Sequence, residues 1–126
     1  MIVLDASALL AFLFREPGHQ LVAPHMEDCC LSTVNLSEVI GRFVRDGHDA
    51  EAVVSKLLSA SIDIVPFSTQ QAALAAVLLP LGKPIGLSLA DRACIALALE
   101  RNLSILTADT VWQTLDLPVE VQLIRS

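Results

Sequence analysis

Four acidic residues, spread over the whole chain, have the side chains best suited to chemistry. They are Asp5, Glu38, Asp91 and Asp109. No lysine lies in any of the four segments that carry them, so these segments offer no ammonium group to neutralise them. Carboxylates that converge repel one another, and a hard divalent cation held through oxygen ligands is the usual compensation. These residue types therefore favour a metal site.

Three of the acids follow segments that predict short strands. Asp5 ends the apolar run 1–4, and Asp109 follows the run 103–107. Glu38 comes shortly after a third run that is typical of a strand. Because the carboxyl ends of parallel strands share one edge of a sheet, where α/β proteins bind ligands, we expect these acids to meet there.

Asp91 lies in a helix predicted over residues 89–99. Only Asp91 and Arg92 interrupt its apolar residues, which is typical of a buried helix. An ionised carboxylate in a dry interior costs several kcal/mol unless it is paired. Arg92 faces elsewhere, because consecutive residues of a helix do not share a face. Asp91 therefore requires some other partner.

The order of the remaining elements predicts one α/β domain that covers residues 1–126. Further strands are predicted at 29–34, 62–65 and 119–124, helices at 8–14, 20–27, 35–45, 50–60 and 69–79, and a loop at 80–86. Strands that alternate with helices indicate a parallel sheet with helices on both faces. A chain of 126 residues is long enough for one such domain with a proper core.

The composition is apolar and acidic. Hydrophobic residues make up 54% of the chain and charged residues 17%, with a net charge of -6. That charge excludes a broadly basic surface for nucleic acids. The apolar excess covers both faces of the sheet or meets a partner, and helices 50–60 and 69–79 are candidate faces for a homodimer.

We expect a cytoplasmic protein with no membrane segment. The apolar run 72–79 ends at Pro80 and is too short to span a bilayer. The first residues lack the basic region of a signal peptide, and Asp5 interrupts them. The three cysteines, Cys29, Cys30 and Cys94, have no paired spacing, so buried thiols are expected rather than disulfides or zinc ligands.

Each acid also has a purely structural explanation. Asn35-x-x-Glu38 and Ser88-x-x-Asp91 both fit the capping-box pattern, in which an acid accepts a hydrogen bond at a helix start. The other two acids can start a turn or cap the segment 110–115. The structural explanation needs four separate coincidences at one sheet edge, whereas a metal site needs one cause.

Other polar and aromatic residues lie close to the acids. Ser7 is expected to cap the first helix, and both Ser7 and Thr107 can instead support a ligand through a hydrogen bond. Arg92 can pair with a surface acid such as Glu100 or contact a phosphate. Trp112 is expected at the edge of the core, with stacking on a base as the alternative.

Four motifs, in their order and separation, resemble those of the PIN-domain nucleases, and more narrowly the VapC-type toxins of prokaryotic toxin–antitoxin pairs. They are DASALL from Asp5, NLSEV from Asn35, SLADRACIALA from Ser88 and LTAD from Leu106. Each motif alone is weak, but the ordered set covers essentially the whole chain and is specific.

The resemblance implies a metal-dependent endoribonuclease that uses Mg²⁺ or Mn²⁺. The four acids match the family's acidic quartet, which would be both the metal ligands and the catalytic residues. Ser7 and Thr107 match its supporting polar positions, and Asn35 opens the motif of the glutamate. Thr110 departs from the many relatives that carry a basic residue there. The implied partners are an RNA substrate and a cognate antitoxin, whose basic side chain suits an acidic site.

The expected reaction is the hydrolysis of an RNA phosphodiester. Asp5, Asp91 and Asp109 are expected to hold one metal ion, with Glu38 bridging to it or contacting it through water. A second ion can arrive with the RNA.

Two other kinds of function stay open. An Asp-based phosphotransfer domain would use Asp5 as nucleophile, but a haloacid-dehalogenase site needs an aspartate where Ser7 stands. A phospho-receiver domain needs a second acid beside Asp5 and a lysine near Thr107, and the chain has neither. A catalytically silent PIN-fold binding module is the other alternative, because intact ligands do not guarantee turnover.

Overall fold

The predicted α/β class is confirmed by a computed structural model, which describes residues 1–82 and 86–126. Its five strands form one sheet in the order β3-β2-β1-β4-β5, and all neighbouring pairs are parallel. The strands are β1 Ile2–Leu4, β2 Cys29–Ser32, β3 Ile62–Val65, β4 Ile105–Thr107 and β5 Val121–Leu123. The strand β1, which precedes Asp5, is therefore central.

The helices lie between the strands, as expected for parallel connections. They are α1 Ala6–Phe14, α2 His19–Val22, α3 Thr33–Arg45, α4 Ala50–Leu58, α5 Thr69–Val77, α6 Leu79–Gly82 and α7 Leu89–Arg101. Two 3₁₀ turns, Ala23–His25 and Thr110–Thr114, follow α2 and β4. The predicted loop 80–86 is wrong at its start, which is helical, and its residues 83–85 lie outside the described part.

Side chains alternate across the sheet and build a separate core on each face. Ile2 and Leu4 pack with residues of α1, α3 and α4, whereas Val3 packs with residues of α7. Both faces are therefore covered, as the apolar composition requires. The three cysteines are buried and unpaired, as predicted. Among the described residues, no helix has both the length and the hydropathy needed to cross a lipid bilayer.

Two helix starts differ from the prediction. The N-cap of α1 is Asp5 rather than Ser7, and the Asp5 side chain makes no cap hydrogen bond. The N-cap of α3 is Ser32, whose Oγ accepts from the backbone N–H of Val34. Asn35 therefore lies inside the helix, so the proposed capping box with Glu38 is wrong, and both side chains are available for other contacts.

Candidate metal centre

The topology brings the four acids to neighbouring elements. Asp5 directly follows the central strand β1, and Asp109 comes two residues after its neighbour β4. Glu38 lies in the second turn of α3, which follows β2 on the other side of β1. Asp91 is the third residue of α7, and α7 contacts both α3 and β1. The carboxyl edge of the sheet therefore carries the site.

The Asp5 carboxylate is buried and held by two hydroxyl groups. Its Oδ2 accepts from Ser7 Oγ at 2.6 Å and from Thr107 Oγ1 at 2.9 Å. Ser7 Oγ itself accepts from the backbone N–H of Ala108 at 3.0 Å, and Thr107 Oγ1 accepts from that of Asp109 at 3.1 Å. Each hydroxyl has one proton, and the backbone donors leave that proton free to point at Asp5. Both hydroxyls therefore hold the Asp5 carboxylate, and their support of a metal ligand stays a prediction.

Burial and charge act against this carboxylate. Asp5 is only 6% exposed. Desolvation raises its pKa to about 6, the two hydroxyl hydrogen bonds oppose that rise, and the charges of Asp91 and Glu38 add to it. The repulsion indicates that these three acids lie close enough to interact. Asp109 is not among the charges that shift the pKa of Asp5.

Asn35 joins Glu38 to the start of α7. Its side chain is fully buried, and Nδ2 donates to Glu38 Oε1 and to the backbone carbonyl of Ala90, each at 3.1 Å. Both amide protons of Asn35 point at oxygen acceptors. A flipped amide would place its own oxygen against these two acceptors, so the orientation of the Asn35 side chain is settled. Ala90 precedes Asp91, so one amide fixes the two acids relative to each other. Desolvation raises the pKa of Glu38, and the Asn35 hydrogen bond opposes this.

Asp91 and Asp109 both accept a backbone hydrogen bond at the start of an element. Asp91 Oδ2 accepts from the backbone N–H of Ser88 at 2.9 Å, which completes the predicted capping box of α7. Asp109 Oδ1 accepts from the backbone N–H of Val111 at 3.1 Å and caps the 3₁₀ turn Thr110–Thr114. The structural explanations of Asp91 and Asp109 as caps are therefore correct. Each cap uses only one of the two carboxylate oxygens of its aspartate.

A match to a family model decides the relationship. The model of the PIN domain matches residues 2–117, which is most of the chain. This chain belongs to the PIN domain family. The assignment disfavours the haloacid-dehalogenase and phospho-receiver alternatives. A comparison with curated protein sequences gives no significant match.

The fold of this PIN domain is shared with solved toxin–antitoxin complexes. A toxin–antitoxin complex from Klebsiella pneumoniae has a TM-score of 0.71 at 20% identity, over 87% of this chain and 88% of that chain. The DNA-bound VapBC complex from Salmonella typhimurium also reaches 0.71, at 17% identity over 98% and 99% of the two chains. The VapBC-5 complex from Mycobacterium tuberculosis reaches 0.66, at 21% identity over 99% and 98%.

The donor set of this PIN domain suits a hard cation, although the carboxylates are not yet arranged as ligands. In residues 1–82 and 86–126, no three Asp, Glu, His or Cys side chains form a ready-made metal site. Each of the four acids nevertheless keeps one oxygen with no hydrogen bond to the described residues. Oxygen-only donors of this kind are what Mg²⁺ and Mn²⁺ prefer.

Cys94 lies close enough to the acids to interact with them, and the sequence interpretation predicted its burial but not this proximity. Its thiol is fully buried, and its pKa is raised well above the ordinary value by desolvation and by the charges of Asp5, Asp91 and Glu38. The signal was available, because positions i and i+3 of a helix share a face and Cys94 is three residues after Asp91. The Cys94 thiol therefore stays neutral and adds no charge to the site.

The expected ion pair of Arg92 is not formed, whereas Trp112 lies in the core as expected. Arg92 does not pair with Glu100. Its Nη1 donates to the backbone carbonyl of Ala75 at 3.1 Å, while Glu100 accepts from Gln71. Trp112 is 1% exposed and packs in the core, so it is not placed to stack on a base. The contact of Arg92 with RNA stays a prediction.

Proposed function

We propose that this PIN domain is a metal-dependent endoribonuclease and the toxin of a toxin–antitoxin pair. One observation carries the proposal: a buried carboxylate, Asp5, is held by two hydroxyls beside the charges of Glu38 and Asp91. A purely structural aspartate would not be buried next to two other acids, because each neighbour makes its ionised form less favourable. A metal cation is the partner that makes this arrangement favourable.

The four acids would hold the metal ion, and neighbouring polar side chains orient the acids. The free oxygens of Asp5, Glu38, Asp91 and Asp109 would hold the metal ion. Mg²⁺ or Mn²⁺ would supply a Lewis acid that lowers the pKa of a water molecule and offsets the charge of the phosphodiester. The hydroxyls of Ser7 and Thr107 favour the ionised form of Asp5 and fix its Oδ2 by hydrogen bonds. Asn35 fixes Glu38 against the first turn of α7.

The proposed protein partner is a cognate antitoxin. The solved structures with this fold include toxin–antitoxin complexes, and some of those complexes are bound to DNA. An acidic edge on a chain with a net charge of -6 suits a partner that presents a basic side chain. The homodimer also stays a proposal. It would cover apolar side chains at the end of α5 and the start of α6, where Val77 is 76% and Leu79 is 52% exposed.

The decisive experiment separates the cap from the ligand at Asp91. Thermal unfolding is measured with and without Mn²⁺ for the wild type and for Asp91→Asn. Asparagine can still accept the hydrogen bond from Ser88 but is a poor metal ligand. Asp49→Asn is the matched control, because Asp49 caps α4 through a hydrogen bond to Ala52 and does not shift the pKa of Asp5.

Wild type and Asp49→Asn are expected to gain stability from Mn²⁺, by about 2.7 kcal/mol at a hundredfold excess over Kd. Asp91→Asn is expected to lose that gain, together with the cleavage of single-stranded RNA by the same samples. A Mn²⁺ response without RNA cleavage in the wild type would favour the silent binding module. No Mn²⁺ response in any of the three proteins would leave Asp91 and Asp109 as caps only and overturn the metal site.

A further inference from the structure

An acidic site that cuts RNA needs a cation nearby to hold the strand. The four acids repel a phosphodiester, and the bound metal offsets only the phosphate that reacts. The following inference rests on the proposed ribonuclease function and asks where this chain provides that cation.

Two of the basic side chains in the described residues are paired with carboxylates, and a third is half-buried. Arg42 pairs with Glu16 and Asp46, and Arg101 pairs with Asp63. The guanidinium of Arg92 is half-buried between α5 and α7. Besides Arg92, four basic side chains among the described residues have no carboxylate partner, namely Arg15, Arg45, Lys56 and Arg125.

The register of the sheet places Arg125 beside the acidic edge. Thr107 of β4 is the partner of Leu123 in β5, and the backbone N–H of Ile124 donates to the carbonyl of Thr107 at 3.0 Å. Two residues further along each segment lie Asp109 and Arg125. Since the strands are parallel, these two residues leave the sheet at the same edge and at the same level. No ion pair joins them, so the guanidinium is not neutralised by the site.

An open groove of about 630 Å³ is lined by residues that follow these two strands and by Leu21 of α2. Thr110 and Gln113 of the 3₁₀ turn line it on the Asp109 side, and Leu123 and Arg125 line it on the β5 side. Thr110, which lines the groove, is the chain neighbour of Asp109, so the groove adjoins the acidic edge. A strand whose phosphate lies over the carboxylates can therefore continue into it.

Arg125 is held in place before any ligand arrives. Its Nη1 donates to the backbone carbonyl of Pro17 at 2.8 Å. The adjoining Gly18 has a φ of +95°, and a Cβ there would overlap the carbonyl of Ile124, so the two backbones are in close contact. A guanidinium has five N–H donors, and this anchor uses one. The others remain for a phosphate, which guanidinium groups bind through paired hydrogen bonds.

We propose that Arg125 binds an RNA phosphate adjacent to the one that is cleaved, and that the groove between the 3₁₀ turn and the segment after β5 carries the strand. Arg125 is then a substrate-binding residue with no part in the reaction itself.

The test compares Arg125→Gln with Arg125→Lys and with Arg45→Gln. Arg45 is the matched control, because it is exposed and has no side-chain partner among the described residues, so its loss changes the net charge equally. The probe is a labelled pool of random-sequence single-stranded RNA. Its cleavage in Mn²⁺ gives kcat and KM at several salt concentrations, and anisotropy gives its binding. Unfolding midpoints show whether the loss of the Pro17 contact disturbs the fold.

Arg125→Gln is expected to raise KM about tenfold with kcat within about twofold of the wild type. The slope of log(kcat/KM) against log[salt] should become shallower by about 0.7, which is one phosphate contact on a single strand. Arg125→Lys should restore part of the loss, and Arg45→Gln should change little.

Three results would overturn the inference: equal effects of Arg125→Gln and Arg45→Gln, a loss in kcat rather than KM, or a loss that follows the unfolding midpoint. Failure of the proposed function is recognised separately, because the wild type itself would then not cleave. In that case weaker RNA binding by Arg125→Gln than by the wild type in the anisotropy assay would still support the groove. Equal RNA binding by the two proteins would overturn it.

Discussion

Two halves of the acidic edge hold their carboxylates in different ways. In the strand-end group, which we define as Asp5, Ser7 and Thr107, the Asp5 carboxylate is buried and its Oδ2 accepts from the hydroxyls of the other two residues. In the helix-start group, which we define as Asn35, Glu38 and Asp91, the acids lie nearer to solvent. There Asp91 accepts from a helix amide and Glu38 accepts from Asn35.

The difference shows which acids have an independent structural use. Asp91 contributes to stability as a cap even with no metal present, since it accepts from an otherwise unpaired amide at a helix start. Asp5 makes no cap hydrogen bond and is ionised at a net cost in the metal-free protein. The same exchange of aspartate for asparagine should therefore have opposite effects on stability in the two halves.

The largest effect is expected for Thr107→Val, which keeps the shape of the side chain and removes the hydroxyl. Asp5 loses a donor, and the backbone N–H of Asp109 loses its acceptor. We expect the free energy of unfolding to fall by about 2–3 kcal/mol at pH 8, measured by urea denaturation.

Thr69→Val is the control for Thr107→Val. Thr69 is exposed, and its hydroxyl has no hydrogen bond to the described residues, so a change below about 0.5 kcal/mol is expected. If the two valine variants were equally stable, Asp5 would not depend on its hydroxyl donors.

The next effect is a gain in stability for Asp5→Asn in the metal-free protein. The pKa of Asp5 is raised by burial to about 6, so the folded state binds a proton more strongly than the unfolded state does. The wild type is then most stable below the unfolded pKa and loses stability as pH rises through about 6. Above that pH, Asp5→Asn should be more stable than the wild type by about 2 kcal/mol and should have a flatter pH profile.

Urea denaturation from pH 4 to pH 8 checks this sign, with Asp91→Asn measured beside it. Asp91→Asn should show a slight loss of stability and a weaker fall of stability with pH than the wild type, because the charge of Asp91 adds to the rise in the pKa of Asp5. A wild type that becomes more stable between these two pH values would contradict the assigned cause.

The smallest effect is expected for Asn35→Ala, which removes the link inside the helix-start group. Two hydrogen bonds are lost, but Oδ1, which is buried without a partner, is removed as well. These terms partly offset, so we expect a loss of about 1 kcal/mol. The Mn²⁺-induced shift in the unfolding midpoint should shrink, because Glu38 is no longer held against α7.

Gln71→Ala is the matched control for Asn35→Ala. Gln71 is also a buried amide that donates to a glutamate and leaves its own oxygen unpaired, but it lies between α5 and α7 and holds Glu100. It should cost similar stability and leave the Mn²⁺ shift intact. An equal loss of the shift in both variants would show that Asn35 acts only through general stability.

The sequence predicted the helix α7 and its capping box because both depend on residues close together in the chain. Ser88 and Asp91 are three positions apart, and the apolar run that predicts the helix is also visible in a short stretch of sequence. The corresponding prediction at Asn35 failed for a physical reason. Ser32 starts the helix three residues earlier, and the acceptor of the Asn35 amide is Ala90, 55 positions away.

The sequence by itself determined the alternation of strands and helices, and with it the position of each acid near the end of a strand or the start of a helix. Hydrophobic periodicity and capping are short-range effects, so they can be read along the chain. Only the tertiary structure decided that Asp5 is buried under two hydroxyls, that Asn35 joins α3 to α7, and that Arg125 lies level with Asp109. Those contacts join residues that are distant in sequence, and they form only when the packing of the sheet fixes strand order and register.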